Sequence, residues 1–209
     1  MRTKALLLTA AIGAVGLSSA MAQVYSVNAV GFVNVDLPVG FWIISNPLNN
    51  TTSNKIADLF KGAPEAFTVY KYGATGWVIN SYELGQWTDE AATLVPGEGA
   101  FVSNPGPAVF KVTFVGEVKQ GNLSHAIPAG LSLQSSEVPQ AGKLSTDLKF
   151  PAVDDDVVYR YDRGGIKGYS IFSVSFGAWD TEPTVEVAEG YWVSKAAAGT
   201  WARTFNVNQ

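Results

Sequence analysis

The chain contains no cysteine and a single histidine, His125. Without cysteine there are no disulfides, no thiolate metal sites and no thiol nucleophile. Charge is scarce as well: Asp, Glu, Lys and Arg make up 15% of the 209 residues, and the formal net charge is −4. A negative balance argues against nucleic acid or anionic lipid as partners, because both need a concentrated positive face. Long hydrophobic runs are missing beyond residues 5–17, and that run is too short to span a bilayer. None of the glycine-rich segments has the G-x-x-x-x-G-K-[ST] or G-x-G-x-x-G spacing that cradles a phosphate.

What is present begins with an address. Arg2 and Lys4 precede the apolar run, and Ser18-Ser19-Ala20-Met21-Ala22 ends in the small-x-small pattern read by a signal peptidase. Residues 1–22 are therefore expected to be a signal peptide, cleaved before Gln23. They hold two of the 14 basic residues and no acidic one, leaving 12 against 18 in the rest of the chain. The expected localisation is outside the cytoplasm: periplasm, cell surface or extracellular space. An apolar content of 47% with 12% aromatics marks a folded chain.

The body of the chain says the same thing twice. Val69-Tyr70-Lys71-Tyr72 returns as Val158-Tyr159-Arg160-Tyr161, Gly85-Gln86-Trp87 as Gly177-Ala178-Trp179, and Glu98-Gly99-Ala100-Phe101-Val102 as Glu189-Gly190-Tyr191-Trp192-Val193. Constant order at an offset near 90 residues predicts a duplicated unit. The units are residues 23–118, with an extra N-terminal strand, and residues 119–209. About 90 residues can bury a usable core, and two such units can share one.

Within each unit apolar residues alternate over short stretches, as in Phe110, Val112, Phe114 and in Phe172, Val174, Phe176. Gly and Pro turns separate the stretches, among them Gly73-Ala74-Thr75-Gly76, Asn104-Pro105-Gly106-Pro107 and Gly164-Gly165. The pattern predicts an all-β fold: two tandem β-sandwich or small-barrel units packed together. One short helix is expected in each, over Lys55 to Phe60 with Ser53 or Asn54 as cap, and around Leu144-Ser145-Thr146-Asp147-Leu148. A strand over residues 24–33 resembles residues 109–116 and 200–205. It is expected either to close the fold or to offer an edge to another chain, and closure is favoured because open edges are a liability.

The catalytic inventory is thin. His125 sits where the other unit has Val35, and no G-x-S-x-G elbow accompanies it, so a structural role is favoured. Glu98 and Glu189 could serve as a glycosidase pair across a pseudo-twofold axis. The favoured reading places each in a tight turn, its carboxylate accepting turn N–H bonds and its following glycine taking a positive φ. Asp154-Asp155-Asp156 lacks the alternating spacing of a calcium loop and is expected to be solvated. No metal or other cofactor is expected.

Paired aromatics such as Trp87/Trp179, Phe101/Trp192, Tyr70/Tyr159 and Tyr72/Tyr161 are read as core or core-edge residues. Trp42, Trp77 and Tyr82 are the candidate ligand-binding residues, because Trp42 has no aromatic counterpart and Trp77 flanks a turn.

The set G-x-x-x-x-S-N-P-L (residues 40–48), V-Y-[KR]-Y, G-x-W, P-G-E-G-A-F-V (residues 96–102) and F-x-G-E-V (residues 114–118) resembles a group of uncharacterised secreted β-repeat proteins from environmental Gram-negative bacteria. The second unit departs from it, with Ser135-Ser136-Glu137-Val138 in place of S-N-P-L. The resemblance implies export and a duplicated all-β fold, and it brings no activity and no catalytic residues.

The function expected from sequence is that of an exported, non-enzymatic structural or interaction protein of the cell envelope, surface or extracellular matrix. Its partner would be itself or another envelope protein, met through an edge strand. The alternatives are a carbohydrate-binding module and a carbohydrate-active enzyme using the paired glutamates. A transmembrane β-barrel is disfavoured by the Pro/Gly-broken runs, the candidate helices and the polar residues 206–209.

Overall fold

A computed structural model describes residues 29–162 and 168–207. The expected signal peptide, residues 24–28 of the first expected strand and the Gly164-Gly165 turn lie outside the described residues. The period-two stretches form antiparallel strands in two groups. The first holds β1 (Val30–Leu37), β2 (Gly40–Ser45), α1 (Ile56–Leu59), β3 (Thr68–Gly73), β4 (Gly76–Glu83), β5 (Gln86–Trp87), β6 (Gly99–Asn104) and β7 (Phe110–Glu117). The second holds β8 (Gly121–Ile127), β9 (Gly130–Gln134), β10 (Gly142–Lys143), β11 (Val157–Tyr161), β12 (Tyr169–Ser175), β13 (Ala178–Trp179), β14 (Thr184–Val185), β15 (Tyr191–Lys195) and β16 (Gly199–Phe205).

Each group builds one five-stranded sheet, in the order β2-β6-β3-β4-β5 and β9-β15-β11-β12-β13. Each also closes a two-stranded ribbon, β1 with β7 and β8 with β16. Alternation explains the layering. Val35 and Leu37 of β1 and Val112 and Phe114 of β7 point inward and pack on Ile44, Val69, Ala100 and Val102 of the sheet. Phe60, Phe67 and Trp87 fill the space between in tilted and edge-on contacts. The second core repeats the plan with Ile127, Val158, Tyr191, Val193 and Trp201. Each group is thus a sheet with a ribbon laid on its inner face.

The described part of the N-terminal strand closes its own group: Val30 lies opposite Glu117 and Leu37 opposite Phe110. The ribbon strand type occurs four times rather than three, because residues 121–127 supply the second leading strand. Among the described residues no ribbon strand is left over.

The helices need correction. α1 exists, with Ile56, Leu59 and Phe60 buried, but its N-cap is Lys55 and no side chain caps it. The Asn54 side chain turns instead to Asn46, Asn49 and the Asn50 N–H. The second group has turns at 144–148. There the Asp147 carboxylate takes the Lys143 N–H at 2.8 Å, and Glu182 takes those of Ser145 and Thr146. Side chains that bind nearby backbone offer it an alternative to the helical ladder.

Phe176 also departs from expectation. It does not alternate inward: it is 100% exposed with φ of 52°, at the tip of the β12–β13 hairpin beside Gly177 (φ 75°). Leu84, 93% exposed with φ 52°, and Gly85 (φ 83°) form the matching β4–β5 tip. Two-residue hairpin loops with both φ positive suit Asn-Gly, and a branched or bulky residue there is strained. Leu84→Asn and Phe176→Asn should each stabilise the fold by about 1 kcal/mol, read as an upward shift of the urea midpoint. An unchanged or lower midpoint would show that the strain is absent.

Candidate functional site

The two sheets meet along a seam whose contacts come in matched pairs. The Ser45 N–H donates to the Ala188 carbonyl and the Ser135 N–H to the Gly97 carbonyl, both at 3.0 Å. Ile44 bridges Glu189, and Gln134 bridges Glu98. A Cβ on Gly99 would stand 2.9 Å from the Gln134 carbonyl oxygen, and one on Gly190 2.7 Å from that of Ile44. These glycines therefore serve close approach between the groups. The expected positive φ falls one residue before each glutamate, on Gly97 (φ 99°) and Ala188 (φ 60°).

The glutamates accept turn N–H bonds as expected, Glu98 from Val95 at 3.0 Å and Glu189 from Glu186 at 2.8 Å. The third polar element of the repeat, the basic residue of V-Y-[KR]-Y, completes each turn. Lys71 reaches Glu98 at 2.8 Å, and Arg160 grips Glu189 with two bonds of 2.8 and 3.0 Å. Sequence spacing does not reveal that pairing, although the shared sign reversal at matched positions is a signal for it.

Above the seam lies an aromatic belt. Outer-face positions of the strands carry Phe41, Ile43, Tyr70, Tyr72, Trp77 and Ile79 in the first group. Leu131, Leu133, Tyr159, Tyr161, Tyr169 and Trp192 answer them in the second. Ile43, Leu133 and Trp192 are buried at its centre. Trp192 stands edge-on to Tyr72 (5.1 Å) and Trp77 (5.6 Å), and Phe101 edge-on to Tyr161 (5.7 Å), favourable arrangements for ring quadrupoles. Away from the seam the belt opens. One depression of about 350 Å³ is lined by Phe41, Tyr70, Trp77, Ile79 and Phe101, and one of about 330 Å³ by Leu131, Tyr159, Tyr169 and Trp192. No charged side chain lines either. Trp77 is 49% exposed, Ile79 56% and Ile171 58%. A sheet face open to water is ordinarily polar, so this one is the leading candidate for contact with something else.

Of the three aromatics singled out from sequence, only Trp77 belongs to this face. Trp42 and Tyr82 lie on the inner face against the first core. The Trp42 indole donates to the Pro38 carbonyl at 2.7 Å, and Tyr82 packs on Trp87 at 5.6 Å. The tyrosines read as core-edge residues, Tyr70 and Tyr159, are the ones that join Trp77 and Trp192 around the two depressions. Strand parity separates them: Tyr70 and Trp77 occupy outward positions, whereas Trp42 and Tyr82 occupy inward ones.

A more polar recess of about 290 Å³ borders the seam and is lined in part by Tyr72, Glu98, His125 and Gln134. His125 Nδ1 lies 3.3 Å from Glu137 Oε2, the ring packs 5.3 Å from that of Trp201, and Lys119 pairs with the same carboxylate. Burial pushes the Glu137 carboxyl up, and its contacts with His125 and Lys119 outweigh that and hold it below its ordinary value. A depressed folded pKa gives stability that is fully present above the unfolded carboxylate pKa, about 4.3. That stability is lost as the pH falls through the lower folded value. Glu137→Gln should therefore flatten the loss of stability on acidification below that range, measured by urea unfolding at stepped pH. An unchanged acid limb would show that Glu137 does not contribute.

The three consecutive aspartates do three different things. Asp154 accepts the Gly177 N–H at 2.7 Å, and Asp155 takes a φ of 69°. Asp156 is not solvated: it is fully buried and paired with the buried Lys195. Among the described residues, no group of three or more His, Asp or Glu side chains is placed to hold a metal ion. No helix among them is long and apolar enough to cross a membrane.

Fold and site together define an all-β protein of two packed sheet groups that carries an exposed aromatic face. No family model matches the chain, and neither a curated protein nor a solved structure does.

Proposed function

We propose that this chain is an exported, non-enzymatic structural or interaction protein of the cell envelope, surface or extracellular matrix, built from two copies of one unit. The observation that carries the reading is the exposed, uncharged aromatic face present on both sheets. Apolar surface left open on this scale favours association outside the molecule. The signal-peptide pattern of residues 1–22 supports export. The matched strand orders support duplication. The engagement of Glu98 by Lys71 and of both Glu189 oxygens by Arg160 supports a structural role for the repeated acids. Tagged protein from the producing cells should fractionate with envelope or matrix. Recovery only as freely diffusing periplasmic protein would overturn the reading.

Glycan binding is the second reading, favoured by the half-exposed Trp77 beside Tyr70 in an uncharged depression, where a sugar ring could stack. Titration with polysaccharides should then shift tryptophan fluorescence in the wild type and not in Trp77→Ala. Equal response in both would remove this site.

A further inference from the structure

Among the described residues, two strand edges are left open beside the depressions. Ser81 exchanges bonds with Thr88 on the side of β4 away from β3, through the Ser81 carbonyl and the Thr88 hydroxyl. Strand alternation turns the N–H and C=O groups of Ile79 and Trp77 the same way. Yet β5 covers β4 only at Tyr82 and Glu83. The chain leaves that edge at Asn80, whose side chain binds both Asp89 backbone groups. The second group repeats this. Ser173 faces Asp180, β13 covers only Val174 and Ser175, and the backbone groups of Ile171 and Tyr169 point outward without a partner strand among the described residues. Both open segments, Trp77-Val78-Ile79 and Tyr169-Ser170-Ile171, are free of charge and proline. Exposed edges are normally blunted by charge, proline, bulges or a cover, and among the described residues these two segments carry none of them.

We infer that the chain assembles with further copies of itself by sheet extension, the open edge of β4 in one molecule pairing antiparallel with that of β12 in the next. The inference rests on the structural reading above and names its partner as a second copy. The occupant follows from three observations. A row of unpaired N–H and C=O groups is satisfied best by another strand. That strand must present large apolar side chains at alternate positions and no charge, and the molecule carries such a strand in its other half. An added strand also extends the aromatic belt that already packs across the seam. The register follows from parity. Trp77 lies opposite Ile171, Val78 opposite Ser170 and Ile79 opposite Tyr169, which brings all outward backbone groups together and makes two aromatic–β-branched pairs. Because the two edges differ, the contact is heterologous and propagates into an open chain or a ring.

The test uses the exported chain and light scattering over a concentration series. Wild type should gain mass with concentration. Ile79→Pro and Ile171→Pro each remove one outward donor and leave the bonds to β3 or β11 intact. Each alone should be monomeric, and their equimolar mixture should recover a heterodimer, since each retains the edge that the other lacks. If near-ultraviolet circular dichroism shows a proline variant misfolded, Ile79→Lys and Ile171→Lys should give the same pattern. The cysteine-free background allows a register check: Val78→Cys mixed with Ser170→Cys should oxidise to a one-to-one crosslinked pair. A wild type that stays monomeric, association untouched by the edge variants, or a mixture that stays monomeric would overturn the inference. A monomer that still fractionates with the envelope would overturn only the edge pairing and leave the structural reading standing.

Discussion

Lys195→Met should lower folding stability by about 3–5 kcal/mol, the cost of leaving a buried carboxylate without its counter-charge. Lys195 sits on the inner face of β15 with its ammonium against Asp156 and the Pro151 carbonyl, which lies 2.8 Å away. Asp156 also accepts the Val153 N–H at 2.8 Å and the Ala196 N–H at 3.0 Å. It thereby ties the turn before β11 to the end of β15. Removing the lysine strips the charge partner and leaves the rest in place. Lys195→Met combined with Asp156→Asn should recover only part of the loss: the amide carries no charge to strand, but it keeps one acceptor for the two backbone N–H groups of Val153 and Ala196 and turns its NH2 on the other. Urea midpoints of the full chain measure both. A loss below about 1 kcal/mol for the single variant, the range of an exposed pair, would show that the pair is solvated in solution.

Alanine at the seam glycines should cost about 1–3 kcal/mol at each position. A Cβ at Gly190 would stand 2.7 Å from the Ile44 carbonyl oxygen, 2.8 Å from Ile43 Cγ2 and 3.2 Å from Gly99 Cα. One at Gly99 would meet the Gln134 carbonyl oxygen at 2.9 Å and its nitrogen at 3.1 Å. The obstacles are mostly backbone, so relief requires the sheets to separate. Separation also exposes Ile43, Leu133 and Trp192. Because the two glycines touch, the double variant should cost less than the sum of the singles: once the seam has opened for one methyl it has room for the other. Unfolding followed by tryptophan fluorescence and by circular dichroism should then cease to coincide, as the groups lose their shared cooperativity. Alanine variants as stable as wild type would mean that the seam does not form in solution.

Much of this molecule was legible from residue patterns. Period-two alternation in Phe110, Val112 and Phe114 fixed both strand and inward face, because a pleated strand beside a core leaves its side chains no other choice. The glutamate half of the E-G turns was legible too, since a glutamate in a turn before an apolar strand has backbone donors close at hand. The glycine half was not: Gly99 and Gly190 serve close approach of the sheets rather than a positive φ. Other features were hidden by competition between local and distant partners. The expected second helix lost to Asp147 and Glu182, and Glu182 comes from another part of the chain. Phe176 kept the alternation of β12 on paper but sits at a hairpin tip, where the two-residue loop dictates φ and turns the ring into water.

The candidate site shows the same division. Trp77 could be singled out because it flanks a turn in an aromatic-rich strand. Trp42 and Tyr82 could not be separated from it, because a sequence gives the parity of each strand and not which parity the core takes when both faces are apolar. That is the case here, with Tyr70 and Tyr72 on one face and Val69 on the other.

The sequence by itself determined the all-β class, the spacing of the repeated motifs and the absence of cysteine chemistry. Those depend on residue identity and short-range periodicity alone. Only the tertiary structure decided that Lys71 meets Glu98, that Gly99 and Gly190 let two sheets touch, and that among the described residues β4 and β12 keep edges without a partner strand. Such facts concern which surfaces remain after long-range pairing is complete, and residues 27 or more apart in the chain carry no local mark of meeting.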